Sequence, residues 1–170
     1  MKSGVSMSSR VTRKRFLVLF VAGMLSLSSM VLTVPTAHGA AKVSKSEYQA
    51  YIKTMKSLVS AESSILRKYG SVTGDNYSDD ETMYEVFVNL TPEINRFIGR
   101  IERVQPKNST LRSIHNLYVA GWNLQNEAVL LSLQALEDQS YAGMAQSNKV
   151  LSQGRAKLNE YRARLQGLGY

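Results

Sequence analysis

From Ser44 to the C-terminus, apolar residues recur every three or four positions, the period of a helix with one buried face. Tyr51, Ile52, Met55, Leu58, Val59, Ile65, Leu66 and Tyr69 define a first helix ending at Gly70, and Ser44 with Glu47 opens it as a capping box. After the polar loop "GSVTGDNYSDDE", Ser78 and Glu81 repeat the capping signature. A second stripe follows: Met83, Val86, Phe87, Leu90, Ile94, Phe97, Ile98, Ile101 and Val104. Pro92 falls inside this helix without breaking the phase of the stripe, which predicts a kink and a Val88 carbonyl deprived of its donor.

"QPKNST" ends the second helix, and Asn108 or Ser109 caps a third running to about Gln139. Its inner stripe reads Ile114, Leu117, Gly121, Leu124, Ala128, Leu131 and Ala135; with Val129, Leu130 and Leu133 also apolar, it is expected to be the most buried helix. A mid-helix glycine costs about 1 kcal/mol relative to Ala, so Gly121 is read as permitting a close helix contact. A fourth helix starts near Ser140 and carries Met144, Leu151, Leu158, Tyr161, Leu165 and Leu168. Four long helices with short connections and no strand signal predict an all-α fold, an antiparallel up-down four-helix bundle over residues 42–170.

The first 41 residues follow another pattern. Lys2, Arg10, Arg13, Lys14 and Arg15 precede the apolar run Phe16 to Val34, and Pro35 is followed by the small residues of "TAHGAA". This is the order of a cleaved N-terminal signal peptide, with the cut after Gly39 or after Ala41. Export places the domain in a secreted or extracytoplasmic, cell-surface-associated setting, with the membrane touched only through an uncleaved signal if processing fails.

Removing the leader changes the charge. The whole chain carries a formal +8, but without the five leader cations 16 Lys and Arg stand against 13 Asp and Glu, a net of +3. That balance predicts no specific nucleic-acid partner. The chain has no Cys, so an exported domain of this kind depends on core burial in place of disulfides.

Catalytic and metal chemistry find little purchase. A di-metal carboxylate bundle needs paired Glu-x-x-His motifs, whereas His115 is the one histidine after the leader and Arg112 stands three residues before it. The acids Asp75, Asp79, Asp80, Glu81 and Glu85 do not fit the calcium-loop spacing, since Asp80 falls where Gly is needed and Val86 where the bidentate Glu belongs. The expectation is no enzyme, no cofactor and no metal.

Two constellations remain. His115, Tyr118 and Trp122, with Leu111, form a stripe beside the inner face of the third helix, a candidate pocket for an amphiphilic or aromatic ligand. Arg96, Arg100, Arg103 and Lys107 are spaced as one face of the second helix, a candidate polyanion-binding surface. The leading expectation is a small exported interaction or structural protein at the cell envelope, contacting an anionic envelope polymer or another envelope protein. A carrier of a small ligand between the helices is the alternative.

Overall fold

A computed structural model describes residues 41–170. Among the described residues the regular structure is helical, with no strand: α1 (Lys45–Lys56), α2 (Val59–Gly70), α3 (Asp80–Glu102), α4 (Ser109–Glu137) and α5 (Tyr141–Gln166), plus one 3-10 turn at Gly74–Asn76. Residues 1–40 of the expected leader, with the cut after Gly39, lie outside the described residues, whereas Ala41 is described. No described helix is long and apolar enough to cross a membrane.

The first described residues dock onto the start of α4. Thr110 Oγ1 donates to the Ala41 carbonyl at 2.7 Å, Asn108 Nδ2 donates to the Lys42 carbonyl at 3.2 Å, and Val43 is buried. Ser44 then caps α1 as the sequence implies, its hydroxyl accepting from the Glu47 amide while the Glu47 carboxylate accepts from the Ser44 amide.

The expected first helix is two. Ser57 Oγ donates to the Thr54 carbonyl at 2.7 Å, and the Leu58 amide turns to Met55, three residues back in place of four. That tightening bends the chain while leaving the three-residue step from Met55 to Leu58 intact, and both side chains stay buried. Periodicity alone therefore did not reveal the break. The second cap also differs from expectation. Asp79 is the N-cap of α3, accepting from the Thr82 amide at 2.8 Å, while Ser78 donates to the Asp79 carboxylate. A carboxylate at this place also meets the positive end of the helix dipole.

Pro92 sits inside an unbroken α3, and Met83, Phe87, Leu90, Ile94, Phe97, Ile98 and Ile101 bury its inner face. α4 contributes ten buried residues, more than any other helix. They form two adjoining stripes. Leu111, Ile114, His115, Tyr118 and Trp122 include the contacts to α3, where Trp122 packs edge-on against Phe97 with ring centroids 4.7 Å apart. Gly121, Ser132 and Ala135 meet Gly154, Ser147 and Gly143 of α5. Leu130, counted among the burying residues, is in fact exposed.

The α4–α5 turn is a helix stop followed at once by a helix start. Gln139 adopts a left-handed φ of 49°, its amide bonds the Leu136 carbonyl, and the Ser140 amide bonds the Ala135 carbonyl at 2.8 Å. This pattern satisfies the last carbonyls of α4. Ser140 Oγ then accepts from the Gly143 amide and caps α5. Contacts down the pair run in opposite sequence directions: Ala135 meets Gly143, Ser132 meets Ser147 and Tyr118 meets Tyr161. α4 and α5 are thus antiparallel. The same reversal, in Asn95 with Asn126 and Tyr84 with Glu137, makes α3 and α4 antiparallel.

Candidate functional site

The basic face is less helical and more convergent than its spacing implied. α3 stops at Glu102, so Arg103 is its C-cap and Lys107 stands in the connection to α4. Pro106 explains the stop, because proline disfavours helical geometry in the residue before it. Lys107 therefore does not continue the helical stripe of Arg96, Arg100 and Arg103. The connection brings it back beside α1 instead. Arg112 donates from Nε to the Pro106 carbonyl at 3.1 Å and from Nη2 to the Lys107 carbonyl at 2.8 Å, which fixes the loop that displays Arg103 and Lys107.

Arg100, Arg103 and Lys107 share one groove of about 610 Å³ between α1 and residues 103–108. Its wall includes Ala50, Tyr51, Leu58, Val104 and Leu111, and Glu47 closes the end beside Lys107 and Asn108. Arg100 Nη2 also reaches the Ser57 carbonyl at 3.4 Å, tying the α1–α2 bend to α3. All four basic residues are exposed, Arg96 lying outside the groove. Among the described residues none of them is ion-paired with an acid. On α5, by contrast, Glu160 pairs with both Lys157 and Arg164, and elsewhere Glu93 pairs with Lys68.

His115, Tyr118 and Trp122 are brought together, all buried. His115 Nε2 lies 2.9 Å from the Ile101 carbonyl and Nδ1 lies 3.1 Å from the Tyr51 hydroxyl, which in turn lies 3.3 Å from the Tyr161 hydroxyl. A carbonyl only accepts, so Nε2 carries the ring proton, while the Tyr51 hydroxyl donates to Tyr161 and lies within hydrogen-bond distance of Nδ1. Burial holds the His115 pKa below its ordinary value, and burial pushes the Tyr51, Tyr118 and Tyr161 hydroxyls up. Tyr118 and Tyr161 also border a shallow cleft of about 250 Å³ with Glu62, Leu158 and Arg162.

The acids after α2 have structural partners. Asp79 caps α3, and Asp80 accepts from the Tyr77 hydroxyl at 2.7 Å. Among the described residues no three His, Asp or Glu side chains converge in a metal-binding group.

The sequence pattern missed the groove, because its far wall comes from α1, about fifty residues away in the chain. It also missed the buried serine pair of the α4–α5 seam. Ser147 Oγ donates to the Ala128 carbonyl at 2.7 Å, which leaves Ser132 as donor to Ser147 at 2.7 Å. The small residues Ser147 and Gly154, seven apart on α5, were the available signal. No family model, curated protein or solved structure matches this chain.

Proposed function

We propose that this is a non-enzymatic, exported helical protein of the cell envelope that contacts an anionic polymer through Arg96, Arg100, Arg103 and Lys107. The observation that carries the reading is a cluster of exposed cations with no acid partner among the described residues, Arg96 and Arg100 on α3 and Arg103 and Lys107 displayed by a loop that Arg112 orders. Cations neutralised by neighbouring carboxylates lose most of their long-range attraction, and on α5 Lys157 and Arg164 share the carboxylate of Glu160. A non-catalytic role agrees with His115, whose two ring nitrogens are both committed to buried hydrogen bonds and are unavailable as a general base.

In this reading the described helices form an antiparallel up-down four-helix bundle in which α1 and α2 act as one bent rod. Tyr51 meets His115 of α4 and Tyr161 of α5, and Tyr69 stacks on Phe87 of α3 at 5.4 Å. Both halves of the rod thus reach the same core. Residues before Ala40 serve as a cleaved signal. The cut after Gly39 is favoured over the cut after Ala41, because it retains the Ala41 carbonyl that receives the Thr110 hydroxyl. Retention of the protein on a teichoic-acid or heparin resin, eluted with rising salt, tests the polymer contact; passage through both resins at low salt overturns it.

A further inference from the structure

The groove beside α1 combines an apolar wall with cations at its rim, a pairing that a polymer contact does not require. Apolar atoms of Tyr51, Leu58, Val104 and Leu111 line its floor, Arg100 reaches Ser57 at one end, Arg103 and Lys107 stand along the rim, and Glu47 meets Asn108 at the other end. Its volume of about 610 Å³ lies within the range of about 300–1,000 Å³ that small-molecule sites occupy. From Glu47 to Ser57 the groove follows ten residues of helix, roughly 15 Å at 1.5 Å per residue. An extended alkyl chain of about twelve carbons covers the same length, at roughly 1.2 Å per bond.

We propose that this groove binds a medium-chain fatty carboxylate, its tail lying along Tyr51, Leu58 and Val104 and its head group between Arg100 and Arg103. The head group is placed at the arginine end because a guanidinium presents a planar fork that matches a carboxylate. Arg100 uses one donor on Ser57 and keeps the others. The opposite end excludes the head group, since the Glu47 carboxylate sits there as an anion held by hydrogen bonds from Ser44 and Asn108. With three cations and one fixed anion around it, the groove carries a net positive charge that attracts an anionic head.

The site shares Arg100 and Arg103 with the polymer contact, yet it is tested separately, because a monomeric amphiphile is not a polymer. Isothermal titration of the processed protein, as isolated without the leader, with dodecanoate kept below the concentration at which it forms micelles, is expected to show saturable binding of one equivalent. Dodecanol, which lacks the charge, and hexanoate, which lacks the tail, are expected to bind at least tenfold more weakly. Arg100→Gln with Arg103→Gln is expected to weaken dodecanoate at least tenfold. So is Ala50→Trp, which fills the groove from an exposed position on α1 and leaves both arginines in place. A melting curve for each variant confirms that it is folded. Absence of saturable dodecanoate binding, or binding unchanged in the folded Ala50→Trp protein, overturns the proposal. If the polymer resin still retains the protein in that case, the polymer contact stands without the fatty-acid site.

Discussion

Gly121 and Gly154 face each other across the α4–α5 contact so closely that a methyl group on Gly154 would lie 3.0 Å from the Gly121 carbonyl oxygen. One on Gly121 would lie 2.7 Å from the Leu158 side chain and 3.1 Å from the Gly154 carbonyl oxygen. The two helices touch backbone to backbone here, and the small residues at this level exist to allow it.

Gly154→Ala is therefore expected to destabilise the protein although alanine is the better helix former. The propensity gain is about 1 kcal/mol, against about 1–3 kcal/mol for forcing a packed contact apart. Gly121→Ala meets the buried Leu158 side chain, its Cγ included, at 2.7 Å and the Gly154 carbonyl at 3.1 Å, so it is expected to cost at least as much. Gly99, also within a helix, has open space where a Cβ would stand, so Gly99→Ala is expected to raise the melting temperature. Thermal melts of the three variants check the order; a Gly154→Ala protein as stable as Gly99→Ala contradicts the close contact.

Gln139 holds a left-handed conformation that costs a side-chain-bearing residue about 1–2 kcal/mol. Gln139→Gly is expected to stabilise the α4–α5 turn by up to about 1 kcal/mol, because glycine takes this geometry without strain. Denaturant unfolding with an unchanged m-value and a higher midpoint is the result expected. A lower midpoint argues against the left-handed turn.

The buried His115 sets an acid limit on stability. Its pKa is lowered from 6.5 mainly by burial, so below pH 6.5 the unfolded chain takes up a proton that the native ring refuses. Stability is full above that pH and falls as the pH drops toward the native pKa. His115→Phe is expected to be less stable overall but to lose this part of the slope, measured as melting temperature between pH 7 and 5.5. Equal slopes for the two proteins contradict the buried neutral ring.

The tyrosines set a matching limit at alkaline pH. Burial pushes Tyr69 up to about 12 and raises Tyr51, Tyr118 and Tyr161 as well. Their folded-state pKa values exceed the unfolded value of 10, so the stability they confer is complete below pH 10 and lost as the pH rises beyond it. Ultraviolet titration is expected to show these four hydroxyls ionising late, together with unfolding. Their ionisation near pH 10 in the folded protein contradicts their burial.

Much of the fold is legible in the sequence because helical burial leaves a period. Ile94, Phe97, Ile98 and Ile101 on α3 lie where their spacing puts them, and Asn108 and Ser140 start helices because their side chains accept from exposed first-turn amides. The break at Ser57 was hidden, since a three-residue hydrogen bond preserves the apolar step. His115, Tyr118 and Trp122 were legible as a stripe but not in their depth: α4 packs on both α3 and α5, so a stripe flanking one inner face becomes the inner face of another contact. The groove was illegible because it pairs α1 with a loop whose course depends on two hydrogen bonds from Arg112 to carbonyls.

The polymer contact is tested most directly by two variants that remove the same charge from different places. Arg96→Gln, Arg103→Gln and Lys107→Gln together clear exposed cations that make no ion pair among the described residues, and glutamine keeps helix propensity where Arg96 needs it. Arg155→Gln, Arg162→Gln and Arg164→Gln together remove three charges from α5. Salt elution from a teichoic-acid resin compares them at equal net charge. The first triple variant is expected to elute at markedly lower salt than the second; equal elution of the two contradicts a localised basic site and leaves only a diffuse attraction.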